Sequence, residues 1–409
     1  VAGLEAALGA AEQGYQAYLV EQTGTLGGVA RKLRSTWRGE KIGPYLEELV
    51  GKVEDHPKVQ VFLESTVKDT SGIIGNFTTT VVSENGKGRT TVVEHGATIL
   101  ATGGKEYKPT EYLYGEHPDV LTHLDLDEAL LTDDKRIKAA KTFVFIQCVG
   151  SRVPERPYCS KICCTHSLES ALTLKKANPN ADVYILYRDM RMYALLEDYY
   201  RKAREQGVLF LRYPDESPPE VENGENGLRV RLMDSGLRRE VGISPDILVL
   251  SAGIRAEDTE ELASIMKLGV DEDGFLMEAH VKLRPVDMAT DGIFVCGTAH
   301  SPKLISESIS QAMAAVSRAA TFLSRSEITL STVTAKVDQE KCASCLVCVM
   351  SCPYGVPKIN KDGVSEIDEA LCRGCGVCAA ECPAKAIELN WYEDDQILCK
   401  VDALLEGVL

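Results

Sequence analysis

Apolar residues along this chain occur in short runs that alternate with segments of helical spacing. Val1–Leu8 places its apolar side chains on one face of a helix, and Tyr15–Glu21 follows as a short apolar strand. The same alternation fills the middle of the chain, and a regular succession of strands and helices is typical of an α/β fold with a parallel sheet. The elements predicted there are Thr142–Gln147, a helix near Ser167–Ala177, Asp182–Tyr187, a helix near Leu195–Gln206, and Val208–Arg212.

Two further apolar strands run into glycine turns. Thr98–Leu100 is followed by Ala101–Gly103, and Asp291–Val295 is followed by Gly297–Ala299. A long helix is predicted next, from about Ser306 to Leu323. A buried strand that ends in glycine and leads towards a helix is typical of nucleotide-binding α/β units.

The first helix and strand fit the second half of a dinucleotide-binding unit. In the fingerprint G-x-G-x-x-G the third glycine opens the crossover helix, and Gly3 suits that role. On this interpretation the first strand and the first two glycines lie upstream of Val1. Glu21 follows Gly3 by about 18 residues, where a carboxylate accepts hydrogen bonds from an adenosine ribose. The loop with Gly27 and Gly28 lets backbone amides approach a pyrophosphate or flavin ring. The alternative is that Gly3 only permits close helix packing.

Together these segments resemble the FAD-binding signatures of flavoproteins with two dinucleotide-binding domains, the thioredoxin reductase and glutathione reductase class. In that class the last motif usually ends in Gly-Asp, whereas this chain has Thr298, which donates a hydrogen bond but carries no charge. The resemblance implies FAD rather than NAD at this site. The residues it implies as FAD-binding are Gly3, Glu21, Gly27, Gly28, Ala101, Thr102, Gly103, Gly297 and Thr298.

Two copies of one cysteine pattern, C-x-x-C-x-x-C-x-x-x-C-P, lie near the C-terminus. Three thiolates on one tight loop bind three corners of a 4Fe-4S cube, and the fourth, before a proline, binds the cluster of the other repeat. Zinc closes its site with four ligands, and disulfide frameworks belong to short secreted chains, so both alternatives fit less well. The expected ligands are Cys342, Cys345, Cys348 and Cys382 at site one, and Cys372, Cys375, Cys378 and Cys352 at site two.

Four other cysteines stand where the middle α/β unit should carry its phosphate-binding glycines. After Thr142–Gln147 the chain has Cys148, Cys159, Cys163 and Cys164, all within 17 residues, and no G-x-G-x-x-G. Four cysteines at the nucleotide end of a Rossmann-like sheet favour a third 4Fe-4S cluster, at a position termed site three below. NAD(P)H binding is not expected on this unit. Coincidental buried thiols are the alternative.

The composition excludes several classes of partner. The 409-residue chain has 45 basic and 61 acidic residues and a formal charge of −16, so it repels phosphate backbones and anionic lipid. No stretch approaches the roughly 20 apolar residues of a membrane span, and no charged-then-apolar signal opens the chain. The 14 cysteines fit a reducing compartment. We therefore expect a cytoplasmic protein with no nucleic-acid partner and no transmembrane segment.

The order of motifs along the whole chain resembles that of the A-subunit family of heterodisulfide reductase. The FAD motifs are accompanied by Phe145–Arg152, Tyr158–His166, Tyr184–Asp189 and Gly297–Lys303, and the double ferredoxin pattern follows. The resemblance implies that the site three cysteines bind a 4Fe-4S cluster close to the flavin and that Gly-Thr at the last FAD motif is normal. It implies an electron-distributing subunit with FAD and three 4Fe-4S clusters. Its implied partners are B-like and C-like subunits and a ferredoxin, hydrogenase or dehydrogenase module, in a dimer of complexes.

Whether such a protein bifurcates electrons stays open at this level. Family members often carry a lysine a few residues after the adjacent cysteine pair, where this chain has Glu169. An acid there opposes the stabilisation of reduced, anionic flavin, although Lys161 or Lys303 could supply a cation instead. The other interpretation is that Glu169 is an exposed helical residue without a role.

The predicted architecture is an α/β, thioredoxin-reductase-like flavoprotein with two dinucleotide-binding domains and a C-terminal α+β ferredoxin domain of the bacterial two-cluster type. The expected segments are 1–140 and 256–330 for the FAD domain, 141–255 for the inserted domain, 331–392 for the ferredoxin domain and 393–409 for a C-terminal helix. The alternative function is a stand-alone NAD(P)H-dependent iron-sulfur flavoprotein of the glutamate synthase small-subunit type. The missing second G-x-G-x-x-G disfavours it.

Other residues have plainer interpretations. Cys296 lies in an apolar strand and is expected to be buried packing, and His166 beside site three is expected to support that site rather than bind iron. His300 is a weaker candidate for contact with the flavin. An edge strand is predicted within Glu327–Lys336. The tail Trp391–Leu409 has apolar residues at helical spacing, which suits docking on the body or on a partner subunit.

Overall fold

The structure is a computed structural model that describes residues 1–83, 88–225, 227–328, 333–369 and 371–406. Within these ranges a larger α/β body precedes a small cysteine-rich domain. Helices and short strands alternate along the body, as the spacing of apolar residues predicts.

The first part of the body packs helices against a pair of parallel strands. Apolar faces of two helices meet here, and Leu4, Leu8, Leu46, Leu49 and Val53 form the buried contact. The two strands run parallel, with Ala17 opposite Val59. The elements are α1 (Ala2–Glu12), β1 (Ala17–Val20), a 3-10 helix (Gly28–Lys32), α2 (Ile42–Asp55) and β2 (Val59–Phe62).

An antiparallel three-stranded sheet follows, and two very short strands lead out of it. Alternate residues of its central strand, such as Phe77 and Val81, are buried while their neighbours are more exposed, as expected for a sheet with one covered face. The elements are β3 (Ser65–Ile73), β4 (Asn76–Ser83), β5 (Arg89–His95), β6 (Thr98–Leu100) and β7 (Gly104–Glu106).

A five-stranded parallel sheet forms the middle unit. Its elements are β8 (Val120–Thr122), α3 (His123–Leu131), α4 (Lys135–Ala139), β9 (Thr142–Val149), α5 (Cys163–Ala177), β10 (Asp182–Tyr187), α6 (Leu196–Glu205), β11 (Leu209–Arg212), β12 (Glu220–Gly224), β13 (Gly227–Asp234), β14 (Arg239–Ile243) and β15 (Ile247–Ala252). The strand order is β11-β10-β9-β15-β8, and β12 to β14 form a separate antiparallel sheet. All the strands and helices predicted in this unit are present. Because β8 belongs to the same sheet, the unit begins before the expected boundary at residue 141.

The chain then returns to the first part of the body. Its elements are β16 (Ile254–Ala256), α7 (Glu260–Met266), β17 (Ile293–Val295), a 3-10 helix (Gly297–Ala299) and α8 (Ile305–Leu323). β17 pairs in parallel with β6, with Ile293 opposite Thr98. Small residues such as Ala312 and Ala315 let α8 pack closely, and Phe294 and Cys296 lie buried beneath it. The prediction that Cys296 is buried is confirmed.

The cysteine-rich domain is built from two short helices and paired short strands. Antiparallel pairing of its first and last strands, with Ala335 opposite Leu389, brings the two cysteine repeats together. The predicted edge strand is partly outside the described residues, because 329–332 are not described, and the strand that is seen is Ala335–Val337. The elements are β18 (Ala335–Val337), α9 (Val347–Ser351), β19 (Lys358–Ile359), β20 (Ser365–Glu366), α10 (Val377–Glu381) and β21 (Ile387–Leu389).

The predicted tail helix is present as α11 (Asp394–Leu405). None of its described residues is buried, and Leu398 and Leu404 are largely exposed. The helix therefore does not bury its apolar side chains on the body within the described residues. Residues 407–409 of the predicted tail lie outside them.

Candidate flavin and iron-sulfur sites

Parallel pairing of β6 with β17 brings the two glycine turns to one edge of the body. The amide of Cys296 donates a hydrogen bond to the carbonyl oxygen of Leu100, at 2.9 Å. Parallel strands end at the same edge of a sheet, so Ala101–Gly103 and Gly297–Thr298 follow their strands side by side. Two turns that were about 200 residues apart in sequence thus share one site.

The N-terminus of α1 packs onto this edge. Gly297 has a φ of +72°, and a Cβ there would lie 2.8 Å from the Cβ of Ala2. A Cβ on Gly3 would lie 3.4 Å from the Cβ of Ala101. Gly3 therefore does permit close packing, and that packing presents the free N–H groups of the helix to both turns. A helix N-terminus beside glycine turns is a binding site for a pyrophosphate.

Two of the remaining glycines border open space. Gly28 (φ +54°) and Gly103 (φ +89°) have left-handed backbones, and a Cβ on either would meet no atom within 4 Å among the described residues. The absence of a side chain there leaves room for a flat ring or a phosphate. Gly27 differs, because a Cβ there would lie 2.8 Å from the Cδ2 of Leu46. Gly27 is thus packed against α2, and its contact with FAD stays a prediction.

Glu21 directly follows β1. Its Oε1 accepts hydrogen bonds from the amide and the hydroxyl of Thr23, both at 2.8 Å. The bonds hold the carboxylate at the end of the strand, which is where a ribose-binding acid stands in dinucleotide-binding units.

Lys303 lies close to the last glycine turn. Its Nζ donates to the carbonyl oxygens of Gly297 at 2.6 Å and of Ser301 at 3.0 Å. Burial, and secondly the neighbouring charge of Lys161, lower the pKa of Lys303 to about 8. Lys161 is itself paired with Glu307 at 2.5 Å. Of the two lysines considered as a cation for the flavin, Lys303 is the one without a carboxylate partner among the described residues.

His300 is held away from such a role by other partners. Its Nε2 lies 2.7 Å from Glu278 Oε2, and its Nδ1 lies 2.9 Å from the amide nitrogen of Gln311. Gln311 in turn accepts from the amide of Gly297, at 3.0 Å. The histidine therefore stabilises the glycine turn at Gly297 through its contact with Gln311.

The cysteines expected at site one surround one cavity. Cys342, Cys345, Cys348 and Cys382 all line it, and its empty volume is about 340 Å³, part of which is open to solvent. Cys382 comes from the other repeat, so the structure brings together the set that the crossed pattern predicts.

Site two has the same form. Cys352, Cys372, Cys375 and Cys378 line a second cavity of about 330 Å³, with Cys352 contributed by the first repeat. Burial, followed by the nearby thiolates of Cys372, Cys352 and Cys375, raises the pKa of Cys378 to about 11. Thiols that repel one another's charge require a positive group between them to ionise together.

Backbone amides point at several of these sulfurs. Cys342 Sγ accepts from the amide of Ser365 at 3.4 Å, Cys372 Sγ accepts from Ala335 at 3.2 Å, and Cys382 Sγ accepts from Ala386 at 3.3 Å. N–H donors to cysteine sulfur are the usual surroundings of iron-sulfur clusters, whose potentials they adjust. In the described part of the chain, no three His, Cys, Asp or Glu side chains are grouped to hold a single metal ion. The four cysteines around each cavity fit the 4Fe-4S clusters expected at sites one and two.

The four cysteines of site three also lie together. Cys148 is the last residue but one of β9 and has a φ of +63°, and Cys163 and Cys164 open α5. Burial raises the pKa of Cys163 well above its usual value, and the thiolates of Cys148, Cys164 and Cys159 raise it further. Cys159 Sγ accepts a bond from the amide of Lys161 at 3.3 Å. Four cysteines this close together fit a cluster site better than coincidental packing.

Glu169 is buried, so its interpretation as an exposed helical residue is wrong. It pairs with Arg34, which lies just beyond the 3-10 helix of the flavin-side loop, and it accepts from Ser35 Oγ at 2.7 Å. The amide of Arg34 also donates to Asp127 Oδ2 at 3.1 Å. The acid is therefore neutralised locally, and it ties the first part of the body to α5.

His166 supports α5 through a second buried pair, with its Nε2 3.1 Å from Asp127 Oδ2. Its ring stacks on that of His123, with centroids 4.2 Å apart. Four cysteines surround site three without it, in agreement with a supporting role.

Sequence reasoning missed several residues around these sites. Arg34, Asp127 and His123 come from segments without a recognisable motif and meet α5 only in the folded chain. Arg152 stands inside a motif, but no spacing indicated its contact with the site three cysteines. A pattern of residue types along the chain carries no signal for such contacts.

Comparison with known proteins agrees with these sites. Two families described as "4Fe-4S binding domain" match residues 334–357 and residues 365–388. Each match contains one complete cysteine repeat. The cysteine-rich domain is therefore a 4Fe-4S-binding domain.

The iron-sulfur A subunit of CoB–CoM heterodisulfide reductase from Methanocaldococcus jannaschii is 33% identical over 504 aligned residues, which cover 100% of this chain and 76% of that protein. The chain belongs to the heterodisulfide reductase A-subunit family. The A subunit of H(2):CoB–CoM heterodisulfide,ferredoxin reductase from Methanothermobacter thermautotrophicus is 38% identical over 331 residues, covering 76% of this chain and 50% of its own length. This member of the family is an iron-sulfur flavoprotein oxidoreductase, and its relatives' names as subunits imply a multi-subunit complex.

Solved structures show the same fold for the body. Thioredoxin reductase of Lactococcus lactis matches with a TM-score of 0.53 and 16% identity, over 79% of this chain and 96% of that one. Thioredoxin reductase of T. acidophilum matches with a TM-score of 0.52 and 14% identity, over 79% of this chain and 94% of that one. The thioredoxin-reductase-like fold with an added ferredoxin domain is confirmed. Among the described helices of this heterodisulfide reductase family member, none has the length and apolar character needed to cross a membrane.

Proposed function

We propose that this protein distributes electrons among one FAD and three 4Fe-4S clusters and passes them to partner subunits of a heterodisulfide-reductase-type complex. The single observation that carries the proposal is that the four site three cysteines lie together where a pyridine nucleotide would bind in this fold. A cluster at that position would carry single electrons, whereas a pyridine nucleotide bound there would transfer a hydride.

The residues that would hold FAD fit the group. The N-terminus of α1 at Gly3 suits the pyrophosphate, Glu21 suits the ribose, and open space beside Gly28 and Gly103 suits the remainder. Ala101, Thr102 and Thr298 line the turns at the same edge. Bound FAD exchanges electron pairs and single electrons, whereas each cubane carries one electron at a time.

Lys303 provides a cation at the proposed flavin site. Its two carbonyl bonds hold the ammonium beside Gly297, so it would need little motion when reduced flavin gains negative charge. We propose that Lys303 replaces the family lysine whose place Glu169 occupies. This arrangement is compatible with electron bifurcation, which stays part of the proposal and depends on flavin potentials.

The alternative of a stand-alone NAD(P)H oxidoreductase is disfavoured by the turn after β9. Gly150 is left-handed (φ +65°), but a Cβ there would lie 2.0 Å from Tyr107 Cδ1, so the tyrosine ring covers the turn. The guanidinium of Arg156 stacks on the tyrosine, 4.3 Å from the ring centroid. A pyrophosphate would have to displace both side chains.

The proposed partners follow from the names of the relatives, which include ferredoxin, hydrogen and formate as reactants. We propose B-like and C-like subunits and a ferredoxin or a hydrogenase or dehydrogenase module as partners, and a dimer of complexes. We also propose a cytoplasmic setting for them.

Anaerobic reconstitution of the full chain tests the proposal. We expect roughly 12 iron atoms and one FAD per polypeptide, because three cubanes carry four irons each. NADPH alone should leave the flavin oxidised, whereas dithionite should bleach it. The variant Cys399→Ser is the control, because Cys399 is exposed and lies at none of the three sites. Rapid stoichiometric bleaching by NADPH would support the alternative function instead.

A further inference from the structure

Arg152 is a largely buried cation at site three. It lies four residues after Cys148, and its side chain is 14% exposed. One end of the guanidinium donates to Asp189 Oδ2 at 2.9 Å. The other end, Nη1, is buried and makes no hydrogen bond of ordinary geometry with any described residue. A buried guanidinium nitrogen without an acceptor is costly, so a missing acceptor is expected beside it.

The nearest candidates for that acceptor are the sulfurs of site three. Burial lowers the pKa of Arg152, but the thiolate of Cys148 and then the carboxylate of Asp189 raise it by more. The amide of Arg152 donates to the carbonyl oxygen of Tyr158 at 3.0 Å, and the amide of Ser151 donates to that of Cys148 at 3.2 Å. Arg152 therefore lies against the segments that carry Cys148 and Cys159.

Arg152 is held in this position by its neighbours. Arg188 donates to the carbonyl oxygen of Arg152 at 3.0 Å and to that of Ser151 at 2.9 Å. Arg212 shares Asp189 with Arg152, donating to Oδ1 at 3.1 Å. These bonds make the loop rigid and surround it with more guanidinium groups than carboxylates.

We infer that Arg152 donates a hydrogen bond to the sulfur of the site three cluster and raises its reduction potential. The inference rests on the proposed function, since it needs a cluster at that site. Four thiolates already make the cluster anionic, and reduction adds one electron without breaking a bond or moving a proton. A fixed cation close to the sulfurs stabilises the reduced form more than the oxidised form. In the working complex the electron comes from the flavin, and in a titration it comes from dithionite.

Site three thereby takes a defined position in the electron path. A raised potential makes the cluster an electron acceptor beside the flavin rather than a strong reductant. The site one and site two sulfurs accept bonds from backbone amides, which carry no net charge. Arg373, which lines site two, is paired with Asp291. Arg152 thus adjusts the potential of the cluster through a direct bond to its sulfur.

Redox titration of the reconstituted full chain, followed by electron paramagnetic resonance, tests the inference. The signal that disappears in Cys163→Ser is that of site three. In Arg152→Gln we expect at least a tenfold fall in the ratio of reduced to oxidised cluster at a fixed solution potential, or ~59 mV for one electron. Arg152→Lys should restore part of the loss because it keeps the charge. Arg136→Gln is the matched control, since Arg136 on α4 pairs with Asp134 just before that helix and is half exposed.

If Arg152→Gln fails to assemble the cluster, Asp189→Asn provides a second test of the same inference. Removing that carboxylate leaves the guanidinium uncompensated, so the potential should rise. Unchanged potentials in Arg152→Gln, or in Asp189→Asn where the first variant does not assemble, would overturn the inference while leaving the proposed function intact. Wild-type protein that binds only about eight irons and shows no Cys163-dependent signal would instead overturn the proposed function.

Discussion

Burial decides the chemistry of the charged residues near the flavin edge. Nothing in the local sequence distinguishes Glu169 or Lys303. In the fold, Glu169 forms an ion pair with Arg34, whereas Lys303 bonds mainly to carbonyl oxygens. Carbonyl oxygens stabilise an ammonium less than a carboxylate does, so burial dominates and the pKa of Lys303 falls to about 8. Lys303 therefore changes charge within reach of neutral pH.

This shift predicts a pH dependence of stability. Between about pH 8 and the usual lysine value of 10.5, the unfolded chain binds more protons than the folded one. The free energy of unfolding should therefore rise with pH across that window, by roughly 2 kcal/mol after allowance for partial exposure. Lys303→Met should flatten the rise. Urea unfolding of both proteins at pH 7 and pH 10 measures the difference.

Lys138→Met is the control for this experiment, because Lys138 is exposed and pairs only with exposed Asp133 among its described neighbours. It should unfold with the same pH dependence as the wild type. An equal slope in Lys303→Met and wild type would show that Lys303 is charged throughout the range.

At the scale of elements, the pairing of β18 with β21 determines which cysteines share a cavity. Each repeat supplies three cysteines from a loop and a short helix, α9 or α10, and one from the residue after that helix. The antiparallel pair turns the two repeats towards each other, so Cys352 lines site two and Cys382 lines site one. The ligand sets thus depend on tertiary pairing as well as on spacing.

Cys352→Ser tests the crossed assignment. Although Cys352 belongs to the first repeat, its loss should disturb the site two cluster and spare the site one cluster. We expect a loss of up to about four irons per polypeptide and of one of the two ferredoxin-type signals in electron paramagnetic resonance. The signal that remains should be the one abolished by Cys345→Ser. Loss of that signal instead would mean that Cys352 serves its own repeat.

On the scale of the whole molecule, few polar contacts join the ferredoxin domain to the body within the described residues. Arg373, next to the site two ligand Cys372, pairs with Asp291 at 3.2 Å. Asp291 lies just before β17, whose end carries the flavin turn at Gly297. The pair thus connects the surroundings of site two to the strand that leads to the glycine turn at Gly297.

Asp291→Asn tests this connection. The pair is partly exposed, with side chains 19% and 46% accessible, so its removal should cost only about 1 kcal/mol. We expect iron and FAD contents to be unchanged and electron transfer from flavin to the ferredoxin clusters to slow by about two- to tenfold. Stopped-flow reduction of the holoprotein measures the rate. Asp134→Asn, which removes a carboxylate at α4 instead, should leave it unaltered. An unaffected rate in Asp291→Asn would mean that other contacts set the domain position.

The chemistry of this protein was largely determined by local sequence. A cubane is bound by cysteines at short fixed spacings, and a glycine turn is required by backbone geometry, so both leave a pattern along the chain. The strands and helices of the middle unit likewise follow from apolar periodicity, which needs no knowledge of distant residues. Membership of the family followed from the order of these motifs.

Tertiary structure alone decided the surroundings that adjust this chemistry. Arg34 meets Glu169 across 135 residues of sequence, and Tyr107 covers the turn at Gly150 from a separate segment. The middle unit also begins earlier than the predicted boundary at residue 141, because β8 belongs to its sheet. Contacts between distant segments depend on how complete elements pack, and a single side chain that pairs only after packing leaves no periodic or spaced signal in the chain.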